Sequence, residues 1–166
     1  IVRLEERTGY THKGIEGLMQ GATLEEAGTL AGRVSGDSTV AYATAFAMAV
    51  EDALGVAPPA RAQWLRALMM ELERLANHYG DIGAICNDAS FSLMQAHCAV
   101  LRERVLRVAD RCFGHRLMRD AVFPGGALDV SVDGLTALRG LLPDLEKRVK
   151  ELEEMIRQLL QERAGV

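Results

Sequence analysis

Apolar residues along this chain recur three and four positions apart through most of its length, the period of a helix with one buried face. Only four prolines interrupt them. The pattern predicts a mainly α protein with a multi-helix, bundle-like core. Thr23-Leu24-Glu25-Glu26 has the form of a capping box, in which hydroxyl and carboxylate each satisfy an orphan amide, and it predicts a helix from there to about Arg33. The turn and cap residues Ser35-Gly36-Asp37-Ser38 precede a second helix from Val40 to Leu54, closed by Gly55. Its Ala41, Ala43, Ala45, Phe46, Ala47, Ala49 and Val50 are small or apolar, which predicts burial on most sides. Pro58-Pro59 opens a longer helix reaching Tyr79, with Leu65, Leu68, Leu72, Leu75 and Tyr79 as its buried stripe and Arg66, Glu73 and Asn77 on other faces. Gly80 and Gly83 weaken that helix, and Asn87-Asp88 and Ser90 offer caps for the next, from Phe91 to Phe113, which Gly114 ends. Residues 116–129, which include Pro124-Gly125-Gly126, lack a helical stripe and read as loop or a short extended piece. Leu145, Val149, Leu152, Ile156 and Leu159 then form the seam of an amphipathic helix that Pro143 starts or kinks. That seam lasts little over two heptads, so it packs on the domain's own core or, in a coiled coil, on a second chain.

With 166 residues the chain is long enough for one domain, taken as residues 1–166, with a sizeable core. It starts at Ile1 and stops within a charged helical pattern, so it is expected to be a fragment of something longer. The net charge of −4 offers no broad basic footprint for nucleic acid or an anionic membrane surface. No apolar run approaches the roughly 18–20 residues that span a bilayer, and the N-terminus has no signal-peptide pattern, so a cytoplasmic location is expected. Cys86, Cys98 and Cys112 are odd in number and widely spaced, as expected of reduced core thiols rather than a disulfide framework or a metal clip.

Two groups of polar residues share a face if their segments are helical. His12 and Glu16 are four apart, and an imidazole beside a carboxylate is either a proton-relay pair or a surface ion pair at a helix start. Glu71, Arg74 and His78 border the stripe of the long helix and read as a network tying it to a neighbour. His97, Cys98 and His115 lack the spacing of a metal site, so no metal held by this chain alone is expected. Arg102, Glu103, Arg104 and Arg107 form a charged band whose default reading is a solvated face.

Several stretches, taken in order, resemble the large-subunit superfamily that joins nickel-iron hydrogenases to the 49-kDa quinone-site subunit of respiratory complex I. They are Gly9-Tyr10-Thr11-His12-Lys13-Gly14-Ile15-Glu16, then Ala49-Val50-Glu51, and Pro58-Pro59-Ala60-Arg61-Ala62-Gln63-Trp64-Leu65-Arg66. Glu71-Leu72-Glu73-Arg74-Leu75-Ala76-Asn77-His78, Asp81-Ile82-Gly83-Ala84, Arg102-Glu103-Arg104 and Pro124-Gly125-Gly126 complete the series. Each motif is weak alone; the ordered set is specific. Where hydrogenases read R-x-C-G-x-C and supply two of four thiolates to nickel and iron, this chain reads Arg33-Val34-Ser35-Gly36-Asp37-Ser38, and the C-terminal CxxC of the other pair is absent from it. Complex I members carry a tyrosine at about the Gly36 position, associated with the quinone headgroup. Here Tyr42 is only a loose substitute.

The resemblance implies a fragment of a hydrogenase-like, formate-hydrogenlyase-like or NADH-quinone-oxidoreductase-like large subunit, inactive by itself and without a cofactor of its own. It implies as partners an iron–sulfur small subunit, whose terminal cluster delivers electrons to a nickel-iron or quinone cavity, and membrane subunits that hold the protein peripherally on the inner face of the membrane. On this reading His12 and Glu16 line the proton or quinone side, Ser35 and Ser38 border the old metal pocket, and Arg61, Glu71, Arg74 and His78 brace the core helices. The alternative is a scaffold subunit without catalysis. Self-association of the fragment is expected where an uncovered apolar face or the Leu145–Leu159 seam finds a second copy.

Overall fold

The computed structural model describes residues 2–164, with the side chains at 155, 156 and 158–164 outside the description. The chain is mainly helical and divides into two compact units, one of residues 1–67 and 119–128, the other of residues 68–118 and 129–166.

The first unit holds α1 (Ile15–Met19), α2 (Leu24–Ala31), α3 (Thr39–Leu54), the opening of α4 (Ala60–Asp88) and a hairpin of β1 (Val122–Phe123) and β2 (Gly126–Ala127). The capping box at α2 forms as expected: the Glu26 amide donates to the Thr23 hydroxyl while the Thr23 amide donates to the Glu26 carboxylate. α3 ends at Gly55, which takes the left-handed conformation that its C-cap requires. The hairpin is antiparallel, with Val122 opposite Ala127 and Phe123 opposite Gly126. Its turn places Pro124 before Gly125 at φ +80, the residue order of a type II turn.

What fixes this unit lies on the face of α4 that the leucine stripe assigns away from the core. Arg66 is buried, against that expectation, and so is Glu51 of α3, with only 6% and 7% of their side chains exposed. The guanidinium donates to both carboxylate oxygens, at 2.6 and 3.1 Å, and to the carbonyls of Phe123 (2.8 Å) and Gly126 (2.9 and 3.2 Å). The carboxylate also accepts from the Gly125 amide at 2.7 Å. A charge taken out of water is tolerated only with such full pairing, and here one pair binds α3, α4 and the hairpin turn together.

The second unit holds the rest of α4, α5 (Ser92–Phe113) and α6 (Val132–Ala164). α4 does not stop at Gly80 but runs to Asp88, because its glycines let α5 approach: a Cβ on Gly83 would lie 3.1 Å from the Cys98 Cβ. Met69, Leu72, Ala76 and Tyr79 of α4 are buried, as are Met94, Cys98, Leu101, Val105 and Cys112 of α5. Burial pushes the Cys98 and Cys112 thiols up from their ordinary range, so both stay protonated.

α6 starts at Val132, well before Pro143, which lies exposed inside the helix rather than at its start. The start is set by Ser131, whose hydroxyl accepts from the Gly134 amide and donates to the Arg111 carbonyl, while its own amide donates to the Cys112 carbonyl. Leu141 and Leu145 are buried and Val149 and Leu152 half-buried, so the described part of the seam is satisfied within the chain. Ile156 and Leu159 lie outside the described side chains.

Removing one partner of the buried pair, as in Arg66→Met or Glu51→Ala, should cost about 3–5 kcal/mol in denaturant unfolding, and the double variant less than the sum. The Arg66 guanidinium holds the Glu51 carboxyl below its ordinary value of 4.5. The stability it contributes is therefore complete above that value and lost as the pH falls through the lower folded-state value, so acid unfolding should be shallower in the double variant. At the α5–α6 junction a Cβ on Gly134 would sit 2.4 Å from the Cys112 Cα. Gly134→Ala must push backbone aside and should destabilise by about 1–3 kcal/mol in the same assay.

Candidate functional site

The N-terminal segment bends at residues 9–11, where Gly9 takes φ +86, and Gly14 then turns it through φ +68 into α1. Glu16 is exposed in the first turn of that helix, and His12 is exposed ahead of it, so helical spacing does not place the two on one face. The tie of this segment to the rest of the unit comes from the residue between them. The Lys13 ammonium donates to the carbonyls of Arg33 (3.2 Å) and Val34 (3.1 Å), just beyond the end of α2. A cation there also complements the negative end of the helix dipole. The segment around His12 and the loop of Ser35 and Ser38 are thereby joined at one place.

That loop closes on itself. The Ser35 hydroxyl makes a short hydrogen bond to Asp37 Oδ1, and the Ser38 hydroxyl donates to the same oxygen at 3.3 Å. The fully buried Thr39 hydroxyl donates to the carbonyls of Ser35 (3.4 Å) and Gly36 (3.3 Å), and the Ser38 amide donates to Ser35 as well. Tyr42 sits one turn into α3 with its ring exposed and its amide bonded to the Ser38 carbonyl.

On the other side of α2, Arg33 donates to Asp120 at 2.7 Å. Its Nη1 is buried without an acceptor among the described residues. A cleft of about 440 Å³ opens beside this pair, walled by Leu24, Thr29, Ala43, Asp120 and Phe123.

The remaining candidates are dispersed. Glu71 and Arg74 form an exposed i,i+3 pair at 2.9 Å, and His78 is exposed on the same helix. Arg61 is exposed in the other unit. Cys98 is buried, His97 exposed, and the His115 Nδ1 accepts from the Leu117 amide. In the charged band, Glu103 takes hydrogen bonds from Arg107 and Arg116, while Arg104 reaches Asp144 of α6.

Among the described residues no three His, Cys, Asp or Glu side chains are grouped to hold a metal ion. A nickel-iron centre asks for soft thiolates. Positions 35 and 38 present hydroxyls already donating to the chain's own carboxylate, and they do not fit that centre. Sequence reasoning missed Glu51, Arg66, Lys13 and Asp37. Glu51 was legible as an acid closing an otherwise apolar helix, and Arg66 from its place in the Pro58–Arg66 motif.

The model of the nickel-dependent hydrogenase family matches residues 13–80. The D subunit of NADH-quinone oxidoreductase from Dehalococcoides mccartyi is 32% identical over 160 residues, which is 94% of this chain and 43% of that protein. Its counterpart from Mycolicibacterium smegmatis is 32% identical over 89% of this chain and 34% of its own length. Formate hydrogenlyase subunit 5 of Escherichia coli is 30% identical over 94% of this chain and 28% of its own length. The chain thus spans less than half the length of these relatives. Over residues 13–80 it resembles the nickel-dependent hydrogenase family, and over most of its length it is similar to the D subunit of NADH-quinone oxidoreductase and to formate hydrogenlyase subunit 5.

Proposed function

We propose that this chain is part of the large subunit of a membrane-associated electron-transfer complex, and that its Lys13-tied end borders a cavity for an organic electron acceptor of the quinone class. The observation that carries the reading is the Lys13 clamp, which brings the segment of His12 and Glu16 to the loop of Ser35 and Ser38. Reducing a quinone takes up electrons and protons in equal number. Electrons would arrive from an iron–sulfur partner subunit. His12 and Glu16, both exposed, would pass protons, an imidazole and a carboxylate each being able to take up and release one. Tyr42, exposed beside the loop, would offer its hydroxyl to the acceptor's carbonyl oxygen. No described helix is long and apolar enough to cross a membrane, which accords with attachment through membrane subunits on the cytoplasmic side.

The test is the full-length protein purified within its native complex. Nickel should be far below one per large subunit, hydrogen oxidation absent, and reduction of a soluble quinone analogue present. His12→Ala should slow that reduction by about a hundredfold, the lower range for loss of a proton-transfer group, while Lys13→Met should weaken acceptor binding and leave assembly intact. A scaffold would behave otherwise: the complex would assemble and transfer electrons equally well in both variants. Stoichiometric nickel would overturn the reading from the other side.

A further inference from the structure

In the loop 33–38 every backbone carbonyl up to Gly36 is already engaged. Lys13 takes those of Arg33 and Val34, and the Thr39 hydroxyl takes those of Ser35 and Gly36. Both serine hydroxyls, at the positions where the family's metal-binding members carry thiolates, converge instead on one oxygen of Asp37. A hydrogen bond to an ionised carboxylate is about twice as strong as one between neutral groups, and two donors on one oxygen fix the path of the chain between them. We propose that Asp37 is the positioning residue of this loop: its carboxylate takes the organising place that a bound metal holds in a thiolate-lined loop, and the loop keeps its shape with no metal at all. Ser35 and Ser38 then act as donors toward Asp37, not as ligands awaiting a metal. The inference stands apart from the question of the electron acceptor, since it concerns what holds the loop and not what the loop meets.

Backbone amide exchange read residue by residue on the chain tests it, with the Ser38 amide, bonded to the Ser35 carbonyl, as the reporter. Asp37→Ala should speed its exchange by about tenfold, the scale of one lost hydrogen bond to a charged group. The Ser35→Ala/Ser38→Ala pair should do the same, and the triple variant should be no faster than either, because all three side chains serve one arrangement. Asp37→Asn keeps an acceptor oxygen at the same atom and should fall between wild type and Asp37→Ala. That rescue separates the hydrogen bonds from a general loss of the fold, for which unchanged exchange of the α5 amides is the control. A strong chelator, or added nickel, should leave Ser38 exchange as it is. Additive effects in the triple variant, unchanged exchange in Asp37→Ala, or acceleration by the chelator would each overturn the proposal.

Discussion

A guanidinium withdrawn from water has five N–H groups to satisfy and a full charge to balance, and only dense pairing that includes a carboxylate offsets that withdrawal. Arg66 meets the demand with one carboxylate and two backbone carbonyls. Those acceptors come from α3 and from the two residues flanking the Pro124-Gly125 turn. The geometry of the first unit follows: the hairpin has to present two carbonyls to one planar group, and Glu51 has to reach both that group and the Gly125 amide. Two-residue strands have no independent stability. This hairpin exists because a charge beneath it needs its carbonyls.

The same logic of satisfied polar groups runs through the candidate site on a smaller scale. Lys13 and Thr39 between them engage the carbonyls of residues 33–36, and Asp37 the hydroxyls of Ser35 and Ser38. Arg33 departs from it, since one of its nitrogens is buried without an acceptor while the other pairs with Asp120, a non-glycine residue at φ +60. Strain and an unmet donor next to an open cleft mark that corner of the unit as its least settled part.

Where local chemistry decides an element, the sequence was enough to find it. The Thr23 capping box and the glycine stops at Gly55 and Gly114 are set by neighbours in the chain, and of the expected stripe of α4 Leu65, Leu72 and Tyr79 are buried while Leu68 and Leu75 give way to Met69 and Ala76. Where a distant partner decides, reading failed. Gly83 looked like a weak point of its helix until α5 lay against it, and Pro143 looked like a start or a kink because Ser131 and its bonds to the end of α5 carry no periodicity. Arg66 fell outside the leucine stripe, and only the fold shows that its face is covered. At the site, the motifs drew attention to the segments of His12 and of Ser35 and Ser38, but spacing alone could not show that Lys13, not a shared helical face, joins them, or that the acid between two serines is where they point.

The grip of one guanidinium on Phe123 and Gly126 also sets how this region can vary among related chains. The two carbonyls must stay a fixed distance apart, so the turn between them tolerates neither insertion nor deletion. The segment leading into β1 is held at Asp120, through the exposed side of an ion pair, and at the buried Ala121, whose carbonyl accepts from the Leu128 amide, so length is freer to drift ahead of Asp120. Lengthening or shortening during evolution should thus collect before Asp120 and spare the four residues from Phe123 to Gly126.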